Sequence, residues 1–199
     1  MIKKTDESIM QNFLESSIAL FRYYKMLGEK AIAQVSDTAL FWQSNEDSNS
    51  IATIVKHLSG NMLSRWTDFL ATDGEKESRD RDIEFENDII TRKEVLEIWE
   101  RGWSCLFSAL ENLKPNDFNK IIYIRNQGHT VLEAINRQSA HYPYHIGQIV
   151  FIAKMKSEKE WQSLSVARNQ SKNYNSEKFS QPKNRGHFTD DSLKTKPEK

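Results

Sequence analysis

Apolar residues recur at spacings of three and four along four long stretches of the chain, and that period predicts four helices with one buried face each. The first stretch covers residues 6–34, with Ile9, Phe13, Leu14, Ile18, Phe21 and Met26 in register. The second covers residues 51–70, through Ile51, Ile54, Val55, Leu58, Met62, Trp66 and Phe69. A polar connector, Ser44 to Ser50, precedes it and supplies a capping side chain. The third starts where Thr91 and Glu94 have capping-box spacing, continues through Val95, Ile98, Trp99, Leu106, Leu110 and Leu113, and stops before Pro115. The fourth opens on a second capping box, Thr130 with Glu133, and reaches Lys156 through Ile135, Ile149, Phe151 and Ile152.

The remaining segments differ in kind. Residues 71–90 are densely charged and long for a connection within one domain. Ile121 to Ile124 has local strand character, but the run is short and solitary and reads as an extended connector. Beyond residue 160 the chain turns to Lys, Asn, Ser and Asp without apolar periodicity, so it cannot bury enough surface to offset the entropy of ordering it. The expected architecture is all-α: a four-helix bundle over residues 1–160, with a long charged connection, then a polar, disordered tail over residues 161–199.

Composition narrows the functional classes. The chain has 199 residues, enough to bury a core without disulfides. Lys plus Arg and Asp plus Glu both number 28, so the general basic surface that nucleic acid requires is not expected. One cysteine, Cys105, excludes an intrachain disulfide and a four-cysteine zinc site. Set between Trp103 and Phe107, it reads as a buried, inert thiol. Trp66, Trp99 and Trp103 fall on helical stripes and read as core. The N-terminal residues lack the apolar centre of a secretory signal, and no apolar run is long enough to span a bilayer. A cytoplasmic protein without a membrane partner is expected.

Candidate chemistry lies in the histidines. His141 and His145 are four residues apart, which puts both imidazoles on one helical face, about 6 Å apart at Cβ. His57 borders the buried stripe of the second helix, in a polar lane with Thr53 and Asn61. Such a lane costs stability unless its groups find partners. Arg137 and Gln148 flank the pair at helical spacing and are candidates to orient the rings. The alternative is that each histidine hydrogen-bonds a neighbour or faces water. Pro143 lies between the pair; its ring clashes with the carbonyl of Ser139, so a kink is expected. His187 falls in the tail and is set apart from the site.

The run His141-Tyr142-Pro143-Tyr144-His145-Ile146-Gly147-Gln148-Ile149 resembles the HxxxHxGQI ending of the DinB-like superfamily, and residues 61–70 resemble a branch of it without an assigned function. The resemblance covers residues 6–156. It implies a four-helix bundle holding one divalent metal through a histidine of the second helix and two of the last, here His57, His141 and His145. Relatives include thiol-dependent transferases that use bacillithiol or mycothiol, and a maleylpyruvate isomerase. Zinc and nickel are the metals expected for three imidazoles, with a coordination position left open and a low-molecular-weight thiol as a second candidate cofactor. Two functions follow. One is a metal-dependent thiol S-transferase or hydrolase acting on a small molecule; the other is a non-catalytic metal-containing binding or stress-response protein. A homodimer formed through an exposed helix face is compatible with either. Residues 71–90 are expected near the open side of the site, where their charge influences access.

Overall fold

The computed structural model describes residues 4–193. Its elements are α1 (Lys4–Ile32), the single turn α2 (Asp37–Leu40), α3 (Ile51–Trp66), α4 (Arg92–Glu111), strands β1 (Ile121–Ile124) and β2 (Gln127–Thr130), α5 (Val131–Lys156), α6 (Ser171–Phe179) and α7 (Asp190–Leu193). The long helices start where the sequence supplies caps. Ser50 Oγ accepts the Thr53 amide ahead of α3. Both capping boxes form, with Thr91 and Thr130 accepting from the amides of Glu94 and Glu133 and receiving their carboxylates in return. α3 ends at Trp66, short of the expected Leu70, because Thr67 is extended and Asp68 takes a left-handed φ of 46°. α5 runs unbroken through Pro143.

The helices pair through their apolar stripes. α3 packs most extensively on α4 and α1 on α5, and α3 also contacts α5. Gly102 permits the α3–α4 approach, since a Cβ there would lie 2.8 Å from Ser59 Cα. Trp99 and Trp103 are buried with ring centroids 5.4 Å apart, as their spacing predicts. Tyr142 is fully buried and lies against Phe21 at 5.7 Å. Its hydroxyl accepts from Trp66 Nε1 at 2.9 Å and donates to Asn61 Oδ1 at 3.2 Å. A buried, satisfied polar chain of this kind fixes the placement of α5 on α3 more narrowly than apolar packing alone.

The fold is mostly helical but not all-α. Ile121–Ile124 is not a solitary connector: it pairs antiparallel with Gln127–Thr130, Ile121 opposite Thr130 and Ile124 opposite Gln127. The two turn residues, Arg125 and Asn126, have φ of 55° and 60°, the left-handed pair that matches the twist of a two-residue hairpin. The partner strand, Gln127-Gly128-His129-Thr130, has no apolar alternation, so nothing in its pattern marked it. Asp73 anchors this hairpin to the charged segment by accepting the amides of Arg125 at 2.8 Å and Asn126 at 2.9 Å, while the Gly74 amide donates to Tyr123 O at 2.7 Å.

After α5, Trp161 and Leu164 pack against the core, whereas α6 buries no residue. Further on, Thr189 is buried, Ser16 Oγ lies 3.0 Å from His187 Nε2, and Phe188 meets the Tyr23 ring at 5.6 Å. The tail expected over residues 161–199 falls partly outside the described residues. No helix among the described residues is long and apolar enough to cross a membrane.

The amides of Asn126 and Glu75, together with that of Arg125, hold the Asp73 carboxyl below its ordinary value of 3.8. A carboxylate favoured in the folded state adds stability above the unfolded pKa, and this is lost as pH falls through the lower folded value. Asp73→Asn should therefore lower the denaturant midpoint at pH 7, and the gap from the parent should close as pH drops below 3.8. A gap that stayed constant over that range would show that the Asp73 charge is not what ties the hairpin down.

Candidate metal centre

α3 and α5 bring the three predicted histidines together. His57 is buried on α3 between Ile54 and Leu58, while His141 and His145 are half-buried, one turn apart, beside the buried Tyr142 and Ile146 of α5. One ring nitrogen from each lies within 4.8 Å of the others, and the two α5 Nε2 atoms are 3.1 Å apart. Nitrogens sharing one tetrahedral ion at 2.0–2.1 Å stand about 3.3–3.4 Å from each other. Small side-chain adjustments separate the present arrangement from that figure.

Each ring is held by its Nδ1. His57 Nδ1 meets Glu84 Oε2 at 2.9 Å, His141 Nδ1 meets Gln138 Oε1 at 3.1 Å, and His145 Nδ1 meets Gln148 Oε1 at 2.8 Å. With an acceptor at each Nδ1, the proton sits there and Nε2 carries the lone pair. The Nε2 lone pairs of His141 and His145 then face one another at 3.1 Å, an arrangement that an electrophile between them relieves. The two α5 rings are also held neutral. Burial, then the neighbouring His145 and His57, push the His141 pKa down to about 3, and burial lowers that of His145 despite its bond to Gln148. Neutral imidazoles with outward-facing Nε2 atoms and fixed Nδ1 protons are the chemistry a divalent cation requires. The residues present therefore fit a metal.

Residues 71–90 lie against this cluster, as expected. A short 3-10 turn, Ile83–Phe85, packs on α3 and delivers two groups to His57. The Phe85 ring stacks on the imidazole at 4.9 Å. Glu84, 6% exposed, takes the Nδ1 hydrogen bond and also receives Arg79 Nε at 2.7 Å and Nη2 at 2.9 Å. Burial opposes the charge on Glu84, but the bonds from His57 and Arg79 outweigh it and hold the carboxyl below the usual carboxylate range. The sequence reading did not single out Glu84. It also assigned the orienting role on His141 to Arg137, which has no hydrogen bond or ion pair among the described residues; Gln138 holds that ring instead. The reading of Gln148 agrees with its bond to His145.

A cavity of about 390 Å³ opens beside the three rings, with Asn61, Phe85, Gln138 and Tyr144 in its wall together with several arginines. A larger cavity of about 740 Å³ lies between α3, α4 and the charged segment and contains none of the histidines. Cys105 is half-buried rather than buried, with Sγ 3.5 Å from Thr67 Oγ1, and does not line the histidine cavity. His129 and His187 lie apart from the cluster.

The family described as "Protein of unknown function (DUF1572)" matches residues 8–170, most of the chain, and the chain belongs to that family. No curated protein and no solved structure matches it.

Gly60 makes the Glu84 position available. A Cβ at Gly60 would stand 2.1 Å from Glu84 Oε1, an atom that Arg79 and the surrounding burial hold in place. Gly60→Ala should thus destabilise the chain by about 1–3 kcal/mol, the range for overpacking. In a Glu84→Ala background the sign should reverse, because alanine is then the better helix former by up to about 1 kcal/mol. Paired unfolding curves measure this directly; equal costs in both backgrounds would exclude Glu84 as the obstructing group.

Proposed function

We propose that this chain is a divalent-metal-binding four-helix bundle of the DinB-like kind, with His57, His141 and His145 as its protein ligands. The observation that carries the reading is the convergence of three imidazoles from α3 and α5, each with its Nδ1 already occupied by Glu84, Gln138 or Gln148. The HxxxHxGQI run that resembles the superfamily is the run that supplies two of these rings. Zinc and nickel suit the donor set.

When bound, an ion with three imidazoles and an open position supplies Lewis acidity toward a thiol, a water molecule or a substrate oxygen. The chain's own residues do the rest. Glu84 fixes the His57 tautomer and raises the basicity of its Nε2. Gln138 and Gln148 do the same on α5 without adding charge. Phe85 excludes water from one face of His57, and the adjoining cavity gives a small molecule room beside the three rings. The wall is polar and open rather than sealed by apolar groups, which favours turnover over storage. A metal-dependent S-transferase or hydrolase is therefore the preferred activity. We take residues 1–160 as the unit that carries it and residues 161–199 as an appended segment.

Metal analysis of the purified full chain is the primary test. About one equivalent of zinc or nickel is expected in the parent and in His129→Ala, and little in His57→Ala, His141→Ala or His145→Ala, with helical circular dichroism retained in all. Stoichiometric metal in a variant lacking all three histidines would overturn the reading. Glu84→Gln should retain metal but bind it about 10–100-fold more weakly in a chelator competition, the usual cost of losing a partner behind a ligating histidine. Removing residues 161–199 should leave the stoichiometry unchanged. Loaded protein screened with low-molecular-weight thiols and electrophilic acceptors then separates a transferase from a binder.

A further inference from the structure

The wall of the histidine cavity carries five arginines: Arg65 from α3, Arg79 and Arg81 from the charged segment, Arg125 from the hairpin turn and Arg137 from α5. No carboxylate lines it. The two buried arginines are accounted for. Arg79 is paired with Glu84 and Glu75, and Arg65 with Glu75 and the Gly74 carbonyl, although Arg65 Nε remains buried without an acceptor. The outer three are not neutralised to the same degree. Arg125 shares Glu75 with both inner arginines, at 3.5 Å. Arg81 lies over the Phe85 ring at 5.1 Å and has no acceptor for its guanidinium among the described residues. Arg137 has none either.

Three carboxylates, Glu75, Glu84 and the Asp73 that holds the Arg125 turn, thus stand against five guanidinium groups, and 5 − 3 leaves two positive charges around about 390 Å³. Crowded like charges raise the free energy of the folded chain, and a bound anion removes that cost. The outer three arginines are exposed and come from three separate elements, of which the backbone of the Arg125 turn is tied down. Asp73 fastens the Arg125 turn to the charged segment. Arg125 itself occupies a left-handed φ of 55°, a conformation that favours Asn or Gly, so a long cationic side chain is kept at a turn position that disfavours it. Planar guanidinium forks match carboxylate and phosphate oxygens in geometry as well as charge.

We propose that this cavity binds a small polyanionic molecule, one bearing at least two carboxylate or phosphate groups, held by Arg81, Arg125 and Arg137 with its remaining polar atoms turned toward His57, His141 and His145. The placement of those remaining atoms rests on the metal-centre reading above; the arginine contacts do not. The volume admits a metabolite-sized ligand rather than a polymer, and ligand charge rather than apolar contact dominates recognition.

The test uses the full chain, metal-free and metal-loaded, in low-salt buffer. Titration calorimetry compares succinate and pyrophosphate with neutral succinamide. At least one dianion should bind the metal-free chain saturably and with one site, weaken with added salt, and weaken about tenfold for each of Arg81→Gln, Arg125→Gln and Arg137→Gln. Arg22→Gln, on an exposed pair with Glu111, should change nothing. Preference for succinate or for pyrophosphate identifies the anionic group. Absence of saturable binding by both dianions, equal binding of succinamide, or binding indifferent to the three substitutions would overturn the proposal. So would a result in which only long polyanions such as heparin compete for these arginines. Metal content measured on the same samples keeps the two readings apart. Loss of metal in His145→Ala with dianion binding intact supports the arginine site, and metal retained by a variant lacking all three histidines sinks the metal centre alone.

Discussion

Glu84 is the contact on which the site depends. A buried carboxylate is costly unless its oxygens are fully used. Here one oxygen meets His57 Nδ1 and an Arg79 nitrogen, and the other meets Arg79 Nε. The same side chain fits only because residue 60 is glycine. Lys56, Ser64 and Arg65 also bind the polar segment to α3, but it is Glu84 that sets the His57 tautomer, beside the Phe85 that stacks on the imidazole and the Arg79 of the cavity wall. Removing the carboxylate would leave Arg79 buried beside a histidine with only Glu75 as a counter-charge.

The second constraint is the seat of α5. Tyr142 stands between the two α5 residues that would act as ligands on one side and the helix core on the other, and its hydroxyl bridges Trp66 and Asn61 of α3. Because residues 141 and 142 are adjacent, locking Tyr142 sets the rotation of α5 and with it the direction of His141. Pro143 does not spoil this. Its ring removes one backbone donor in mid-helix, yet α5 continues and His145 remains one turn on, with centroids 4.8 Å from His141. Tyr142 and Ile146, on either side of the proline, are both buried against the core.

What was legible in the sequence was what obeys a helical period. The four apolar stripes, both capping boxes and the same-face pair His141 and His145 follow from spacings of three and four, and the structure reproduces them except at Ile9 and Phe151, which it leaves exposed. His57 was legible as a polar residue on the margin of a stripe. Glu84 was not, because it lies 27 residues away in a run where every other acidic residue is a plausible solvated charge. Composition assigns charges to solvent, and only the tertiary fold reveals that the side chains of Arg65 and Arg79 are buried. The hairpin was half legible, since β1 has a pattern and β2 has none.

Imidazole ligates a metal in its neutral form, so a divalent ion held by the three candidate ligands would keep its full charge, unlike one bound by carboxylates or thiolates. The cavity beside it contributes further positive charge from arginines on four elements and no lining carboxylate. Glu84 cannot compensate both, because it is already shared between His57 and Arg79. A dication and unmatched guanidinium groups in one recess would repel each other, and each would weaken retention of the other. The arrangement becomes favourable when a third, negatively charged component enters, and the ion and the arginines then attract it together. An anion bound in this way stabilises the metal as the metal stabilises the anion, a reciprocity that thermodynamic linkage requires. On the two proposals together, the three histidines and the five arginines act on such an anion as one electrostatic unit.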